Sequence, residues 1–518
     1  MHQDDNTATW ATAGRRARPA LLIAAGALLC ILYTTLFPFD FAFLVTATGT
    51  LPPPVFDWRP FQPDNLRDVI RNLILFVPFG FGVGAYLGLS GRRRKAATGL
   101  VFALGAVLSA AIELLQLGLP YRVAGLSDIL ANSTGALVGQ LFYLAAGQSI
   151  LTRVERLVHE IKPRLTVRRL AVALALYSAV MGLFLFWLQS AMNLSNWDAQ
   201  YPLAVGNETD GSRPWQGVLY DFQVYDWAMD PSAAACLLPD ACSGSPVHKA
   251  PVVTCSQQHD LSDIACTSNL PQLTWRRSGG NDSEAWQQTD GPASALSQRL
   301  AETGEWTLAL TAASTLPWQE GPARIATISD GPNLRNLTVG QQGNSLVLRV
   351  RTPASGENGS LPELIVPGVW LDDKPHQIVA TFDKNGLTVY VDDVSNAFTY
   401  RLAPQIAFFR FLLPVDNWEM GPVPADTWGL YLVFYGMIFT PIAVLLVMME
   451  KAGPQAPRPK KRYFAAIVIL LPAALEVTLA ATESRALHVG DLVASTATLA
   501  GLVWLLRRFV PPDSRPSH

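Results

Sequence analysis

Residues 110–139 read AAIELLQLGLPYRVAGLSDILANSTGALVG and set Glu113, Gln116, Asp128 and Asn132 in or beside two strongly apolar runs. A second stretch, PDNLRDVIRNLILFVPFGFG at 63–82, puts Asp68, Arg71 and Asn72 at the start of another apolar run. Carboxylates and amides in such places are costly, so they call for a use. Three uses suit them. They can tie helices together by hydrogen bonds. They can recognise a polar or cationic headgroup, or a lipid-linked sugar, at the outer leaflet. They can carry acid/base or metal-assisted chemistry on such a substrate, with Glu113 and Asp128 as the acid/base groups. Asp68 and Asn72 are four apart, as are Asp128 and Asn132, so each pair lies on one helical face. Gly135 and Gly139 follow on the face of Asn132 and form a small-residue stripe that permits close helix contact. His159 and His488 do not join the cluster by spacing, which weakens a zinc site and leaves magnesium or calcium for carboxylates and amides. There is no P-loop, dinucleotide fingerprint or nucleophile elbow to name a reaction.

The elements that must hold these groups are membrane helices. Half of the 518 residues are hydrophobic and 15% are charged, and the excess is gathered in runs about as long as a bilayer core. Spans are expected at roughly 20–39, 68–89, 96–117, 127–147, 170–190, 427–449, 462–481 and 489–509, about eight in all. The net charge of −2 favours no nucleic-acid partner. Basic residues cluster at 15–18, 91–95, 152–169, 457–462 and 507–508. With eight spans all of these fall on one side, which places both termini in the cytoplasm. The first span follows arginines but lacks a nearby small-residue cleavage pattern, so it reads as an anchor. Glu113 then lies near the outer end of the third span, Asp128 and Asn132 at the outer start of the fourth, and Asp68 and Asn72 at that of the second.

These residues resemble a known family. RDVIRNLILFVPFGFGVGAYLG, IELLQLGLPYRVAGLSDILANSTGALVGQ and the earlier LYTTLFPFDF resemble the VanZ-like membrane proteins. Their pattern is D-x3-N-x3-F-x-P-x-G, then E-x2-Q, then D-x3-N-x2-G-x3-G. Asp68, Asn72, Phe76, Pro78 and Gly80, then Glu113 and Gln116, then Asp128, Asn132, Gly135 and Gly139 fill every position. The resemblance implies a four-helix domain over about 20–150 and a link to resistance to the glycopeptide teicoplanin; it supplies no biochemical activity. There is also an internal echo. An offset of 363 residues carries Phe76, Pro78, Glu113, Arg122 and Asp128 onto Phe439, Pro441, Glu476, Arg485 and Asp491. The last three spans, 427–509, then read as a degenerate copy of the second to fourth, and the chain as two parallel four-span repeats. Tyr435 replaces Asn72, Ser495 replaces Asn132 and Leu479 replaces Gln116, so the second site looks depleted.

Between the fifth and sixth spans the texture changes. WTLALTA, ARIATISD, LRNLTVGQQGNSLVLRVRT and HQIVATFDKNGLTVYVDD are alternating, β-branched runs separated by turn signals, as in an antiparallel sandwich. They resemble the concanavalin A-like, laminin-G-type jelly roll, and YPLAVGNETDGSRPWQGVLYDFQVYDWAMDP at 201–231 looks like the closing part of that family although it comes first here. A permuted sandwich over 191–410 is expected, with a cysteine-bearing insertion at 232–298. The resemblance implies carbohydrate or protein ligand binding, and a calcium ion for which Asp330, Asp383 and Asp392 would serve; turn chemistry is their other reading. Cys236, Cys242, Cys255 and Cys266 lie in this exported segment, whereas Cys30 lies in the first span. The even number implies two disulfides, in any of three connectivities, with free thiols as the alternative.

The fold expected is a polytopic α-helical membrane protein with an exported all-β jelly-roll sandwich. Residues 1–19 would be a cytoplasmic segment, 151–169 a basic cytoplasmic linker and 170–190 the fifth span. The function expected is that of an inner-membrane envelope protein of a Gram-negative-type bacterium. Its bundle would handle membrane lipid or a lipid-linked glycan, and its periplasmic domain would bind an envelope polysaccharide, in exopolysaccharide production or glycopeptide resistance. The alternatives are an intramembrane acid/base enzyme acting on a lipid headgroup or lipid-linked sugar, and a structural scaffold.

Overall fold

The computed structural model describes residues 4–37, 56–59, 66–119, 124–161, 164–238, 249–256, 264–270, 273–279, 286–383, 386–412, 418–421, 424–451, 461–483, 487 and 489–509. They form two compact units. One comprises the chain to Leu174 with Phe439–Lys460 and Ala500–His518; the other comprises Ala175–Ile438 with Lys461–Leu499.

In the first unit the helices are α1 (Asp4–Leu36), α2 (Leu66–Leu89), α3 (Arg94–Gln116), α4 (Leu126–Phe142) and α5 (Gln148–Ile161). Two short strands, β1 (Phe56–Asp57) and β2 (Ala124–Gly125), pair in parallel. Glycine decides how α2 meets α4. A Cβ on Gly80 would stand 1.9 Å from the Ala136 carbonyl oxygen, one on Gly135 2.2 Å from that of Leu73, and one on Gly139 2.1 Å from that of Val77. The two backbones therefore touch where any side chain would hold them apart. The successive contacts 73 to 135 and 77 to 139 run α2 and α4 parallel, so Asp68 and Asp128, each in the first turn of its helix, share one end. Phe76, Val101, Ile112 and Ala136 fill the core between the helices.

The stretch read as a linker begins as helix. α4 passes through a π-helical turn, Tyr143–Gly147, into α5. Ile150 and Leu151 pack on Ala20, Phe81, Ala85 and Tyr143. With Val154, Leu157 and Ile161 at helical spacing they give α5 an apolar stripe that the basic composition of 152–169 masks.

The second unit holds the later part of α6 (Val167–Ser190), the sandwich, part of α10 (Pro424–Lys451), all of α11 (Lys461–Glu483) and part of α12 (Val489–Phe509). One sheet has eight strands in the order β17 (Glu419–Met420), β13 (Glu363–Val366), β12 (Ser345–Val350), β11 (Arg335–Gly343), β10 (Gln319–Ser329), β3 (Leu203–Val205), β8 (Trp286–Thr289) and β7 (Trp275–Ser278). The other has seven: β16 (Asp393–Arg401), β15 (Gly386–Val391), β14 (His376–Asp383), β9 (Trp306–Ser314), β4 (Gly217–Tyr225), β5 (Val253–Ser256) and β6 (Ala265–Ser268). The early segment 201–231 thus supplies an interior strand to each sheet. Residues 232–298 are no separate insertion, for their strands β5 to β8 extend both sheets at one edge. Strands of four residues carry too little alternation to be read from sequence. Two short helices, α7 (Pro231–Ala235) and α8 (Ser294–Thr303), border the sheets.

Trp215, Trp306, Trp370, Phe222 and Phe382 are fully buried, and the Trp306 and Phe382 rings stack at 5.5 Å. Glu208 and Arg324 form a buried ion pair at 3.0 Å. After β16, α9 (Pro404–Leu412) sets Phe408 against Phe184 of α6 and Phe434 of α10, with ring centroids 6.1 and 5.4 Å apart.

Among the described residues seven helices are long and apolar enough to cross a membrane. The eighth expected span corresponds to α11, whose apolar part, Ala465–Ala481, is shorter; Lys461, Arg462 and Glu483 bound it and Pro472 lies inside.

Candidate functional site

The polar groups on α2, α3 and α4 fall into two sets. Three are buried and engaged. Glu113 is 2% exposed, and its Oε2 accepts the Gly125 amide at 2.7 Å. Gly125 is the N-cap of α4 and offers no side chain to cap the helix, so the carboxylate of α3 takes one of the backbone donors left at that end. Asn132 donates through Nδ2 to Ser109 Oγ at 2.8 Å, and its own Oδ1 has no partner among the described residues. Gln116 donates through Nε2 to the Thr35 carbonyl at 2.8 Å, tying α3 to α1.

The other set is accessible. The Asp68 side chain is 60% exposed and meets Arg71 at 3.4 Å. Asp128 is half-buried and accepts from the Ser127 hydroxyl at 3.4 Å. Asn72, one turn after Asp68, is half-buried. Sequence reasoning missed Ser109, Thr35 and Asp57. Ser109 sits one turn before Glu113 on α3, a spacing that could have flagged it. Asp57 lies in the strand pair at this same end, and the hydrogen bond from the Arg59 side chain holds its carboxyl below the usual range. The arrangement is a helix end braced from within by amides and one glutamate, with carboxylates presented at its surface. It can hold a cation or hydrogen-bond a polar headgroup.

The C-terminal helices carry a second polar cluster. Tyr435, Glu476 and Ser495 are buried. Arg401, the last residue of β16, donates from Nη1 to Asp491 Oδ2 at 3.0 Å, and its guanidinium lies 5.6 Å from the centre of the Tyr431 ring. Aromatic rings and an arginine from the sandwich thus stand beside Asp491 in this cluster. Arg122, Arg485 and His488, the His159 side chain and Cys242 lie outside the described residues.

In the sandwich, Asp383 accepts the Gly386 amide at 3.0 Å. Asp392, at φ 61°, accepts the Gln377 amide at 2.7 Å and meets His376 Nδ1 at 2.7 Å. These two aspartates cap opposite ends of β15. Asp330 lies in the other sheet, at the turn after β10, where its amide donates to the Leu334 carbonyl. The three do not converge, and among the described residues no three His, Cys, Asp or Glu side chains gather as a metal site. Cys255 and Cys266 form a disulfide across the β5–β6 pair; Cys236 is also disulfide-bonded, and Cys30 is free.

Residues 24–147 match the VanZ/LLP1 family. No curated protein and no solved structure matches the chain significantly. The chain is thus a multi-pass membrane protein that carries a VanZ-like domain at 24–147 together with a β-sandwich consistent with a jelly roll.

Proposed function

We propose that the VanZ-like domain handles a lipid headgroup or lipid-linked glycan at the outer face of a bacterial inner membrane. The sandwich, exported between α6 and α10, binds an envelope glycopolymer, in exopolysaccharide production or glycopeptide resistance. The observation that carries this reading is the division of the polar cluster. Glu113, Gln116 and Asn132 already brace the helix end, whereas Asp68 and Asp128 stand where water and a headgroup can reach them. Carboxylates that water can reach at a membrane interface are placed for a ligand. The basic clusters support the orientation, since they put this end of α2 and α4 outside.

The test is Asp68→Asn and Asp128→Asn in a host that depends on the protein. Both variants should reach normal abundance in the membrane and lose the envelope phenotype, read as glycopeptide susceptibility and polysaccharide yield. Full function in both, or loss of the protein itself, would overturn the reading. For the sandwich, the full chain in detergent should bind acidic or neutral glycans on an array, and binding to none would remove the glycopolymer from the proposal.

A further inference from the structure

Trp318, in the turn between β9 and β10, is 61% exposed and is the only exposed tryptophan among the described residues of the sandwich. Its ring is nevertheless fixed. A Cβ on Gly343 would stand 3.3, 3.3 and 3.5 Å from three consecutive carbons of the indole, a spread that only an approach to the ring face gives. The ring therefore lies flat on this glycine, which holds a left-handed φ of 57°, and turns its other face outward. Beneath it Gln341 fills all four of its hydrogen-bonding places. Its Oε1 accepts from Trp215 Nε1 and Gln319 Nε2, each at 2.9 Å. Its Nε2 donates to the carbonyls of Leu316 and Gly343, each at 2.9 Å. One buried amide thus ties the turn that carries the ring to the glycine that backs it, and a fully satisfied buried network of this kind rigidifies what it holds.

The ring stands at the end of the sandwich away from the membrane helices. As the chain leaves α6, the Ala191 carbonyl accepts the Ala354 amide, Trp197 donates to the Arg351 carbonyl and the Asp198 carbonyl accepts from Asn336 Nδ2. In the other sheet Arg401 meets Asp491 of α12 and is in register with Gly386, which pairs with Asp383 next to Phe382 and Trp306. β11 runs from this end to Gly343, and β9 runs from it to Ser314. The turn between β9 and β10 is therefore about 23 Å along β11 from Asn336, too far out for its ring to rest on the bilayer that α6 and α12 enter.

The apolar surface at this tip is also small. Trp318 and Leu316, the latter 42% exposed, offer roughly 200 Å² between them, against about 800 Å² per partner in a stable protein contact. Thr315, Glu320 and Gln216 are exposed around the ring, and the Gln216 carbonyl accepts both the Thr315 amide and Gln319 Nε2. A flat, rigid apolar face edged by polar groups matches a ligand that is itself a ring with one apolar face and a rim of hydroxyls. We propose that Trp318 is the stacking platform on which the sandwich takes a pyranose of the glycopolymer. The proposal rests on the glycopolymer reading of the sandwich and names the ring that makes the contact and the sugar form that fits it. A rigid indole loses little entropy on binding, and Gln341 and Gly343 are its positioning residues.

The experiment is a glycan array probed with the full chain in a sugar-free polyoxyethylene detergent, followed by titration of the strongest hit. The hits should be pyranose glycans with one face free of hydroxyls, and furanose glycans should be absent. Trp318→Ala should weaken binding about tenfold to a hundredfold with the melting temperature unchanged, since the ring supports nothing above it. Trp318→Phe should fall between, and Trp318→Leu, apolar but without a ring, should be as weak as Trp318→Ala. Hits that survive Trp318→Ala would overturn the platform and leave the glycopolymer reading standing; a parent protein that binds no glycan would overturn both. A Trp318→Leu protein that binds as well as the parent would refute stacking. Self-association of the parent that Trp318→Ala abolishes, without glycan hits, would make the ring a contact between proteins instead.

Discussion

Glu113 is the residue at which bracing and chemistry can be told apart by substitution. Its carboxylate is almost wholly buried and accepts the amide of Gly125 at 2.7 Å, at the uncapped start of α4. Glu113→Leu keeps the bulk and leaves that amide, itself buried, without a partner. The cost of such an orphan is about 1–3 kcal/mol, and loss of the acceptor is partly offset because an ionised group no longer has to be held away from water. A net loss of about 2 kcal/mol, roughly a thirtyfold fall in the folded-to-unfolded ratio, is expected. Glu113→Gln keeps a carbonyl oxygen in place and exchanges a charge-assisted bond for a neutral one, about 1 kcal/mol. Unfolding of the purified variants in mixed detergent and sodium dodecyl sulfate, alongside their abundance in membranes, measures both. The envelope phenotype should fall only in proportion to abundance. A Glu113→Gln protein that is as stable as the parent yet inactive would refute the bracing role and return Glu113 to the chemistry.

Other expectations follow from the same structure. Gly139→Val places side-chain carbons where the Val77 carbonyl lies 2.1 Å from an ideal Cβ; it should cost about 3 kcal/mol or more and deplete the protein from membranes, whereas Gly99→Val, with open space around it, should be tolerated. Cys255→Ser removes a link across a separation of 11 residues and should lower the stability of the sandwich by about 2–3 kcal/mol, seen as a lower melting transition that reductant no longer changes at this hairpin. A phosphatase fused after residue 300 should be active outside the cytoplasm and a fluorescent reporter fused after Lys460 should glow inside; the reverse at either point would break the orientation argued from the basic clusters.

The membrane helices and the polar positions were legible because each rests on a local period. Runs of about twenty apolar residues announce spans, and the four-residue spacing of Asp68 with Asn72 and Asp128 with Asn132 puts them on helical faces whatever the packing. The roles of those positions were not legible, because a role depends on what lies opposite. Nothing in the sequence marks Gly125 as the partner of Glu113 or Ser109 as that of Asn132. Arg401 stands 90 residues from Asp491, so nothing local in the sequence announced their contact. The same limit hid the edge strands β5 to β8, which are strands only because β4 and β3 offer them an open edge to pair with, and it hid α5, whose apolar stripe has meaning once Phe81 and Tyr143 lie beneath it.

The permuted strand order also decides how the sandwich can come together as its strands become available in chain order. β4 is an interior strand, yet it is made early: its register joins Gly217 to Ser314 and Tyr225 to Thr307. Its first available partner is β5, which comes with β6 as a hairpin clipped by Cys255 and Cys266. One side of β4 is thus closed long before the other, and the bare side must wait for β9 with its ladder of amides and carbonyls exposed. Pairings so distant in sequence make for slow folding, and a half-covered sheet is the species that seizes on neighbours. Crowding nascent chains should therefore lower the yield of folded protein more sharply than losing any single core side chain, and the step it poisons is the arrival of β9.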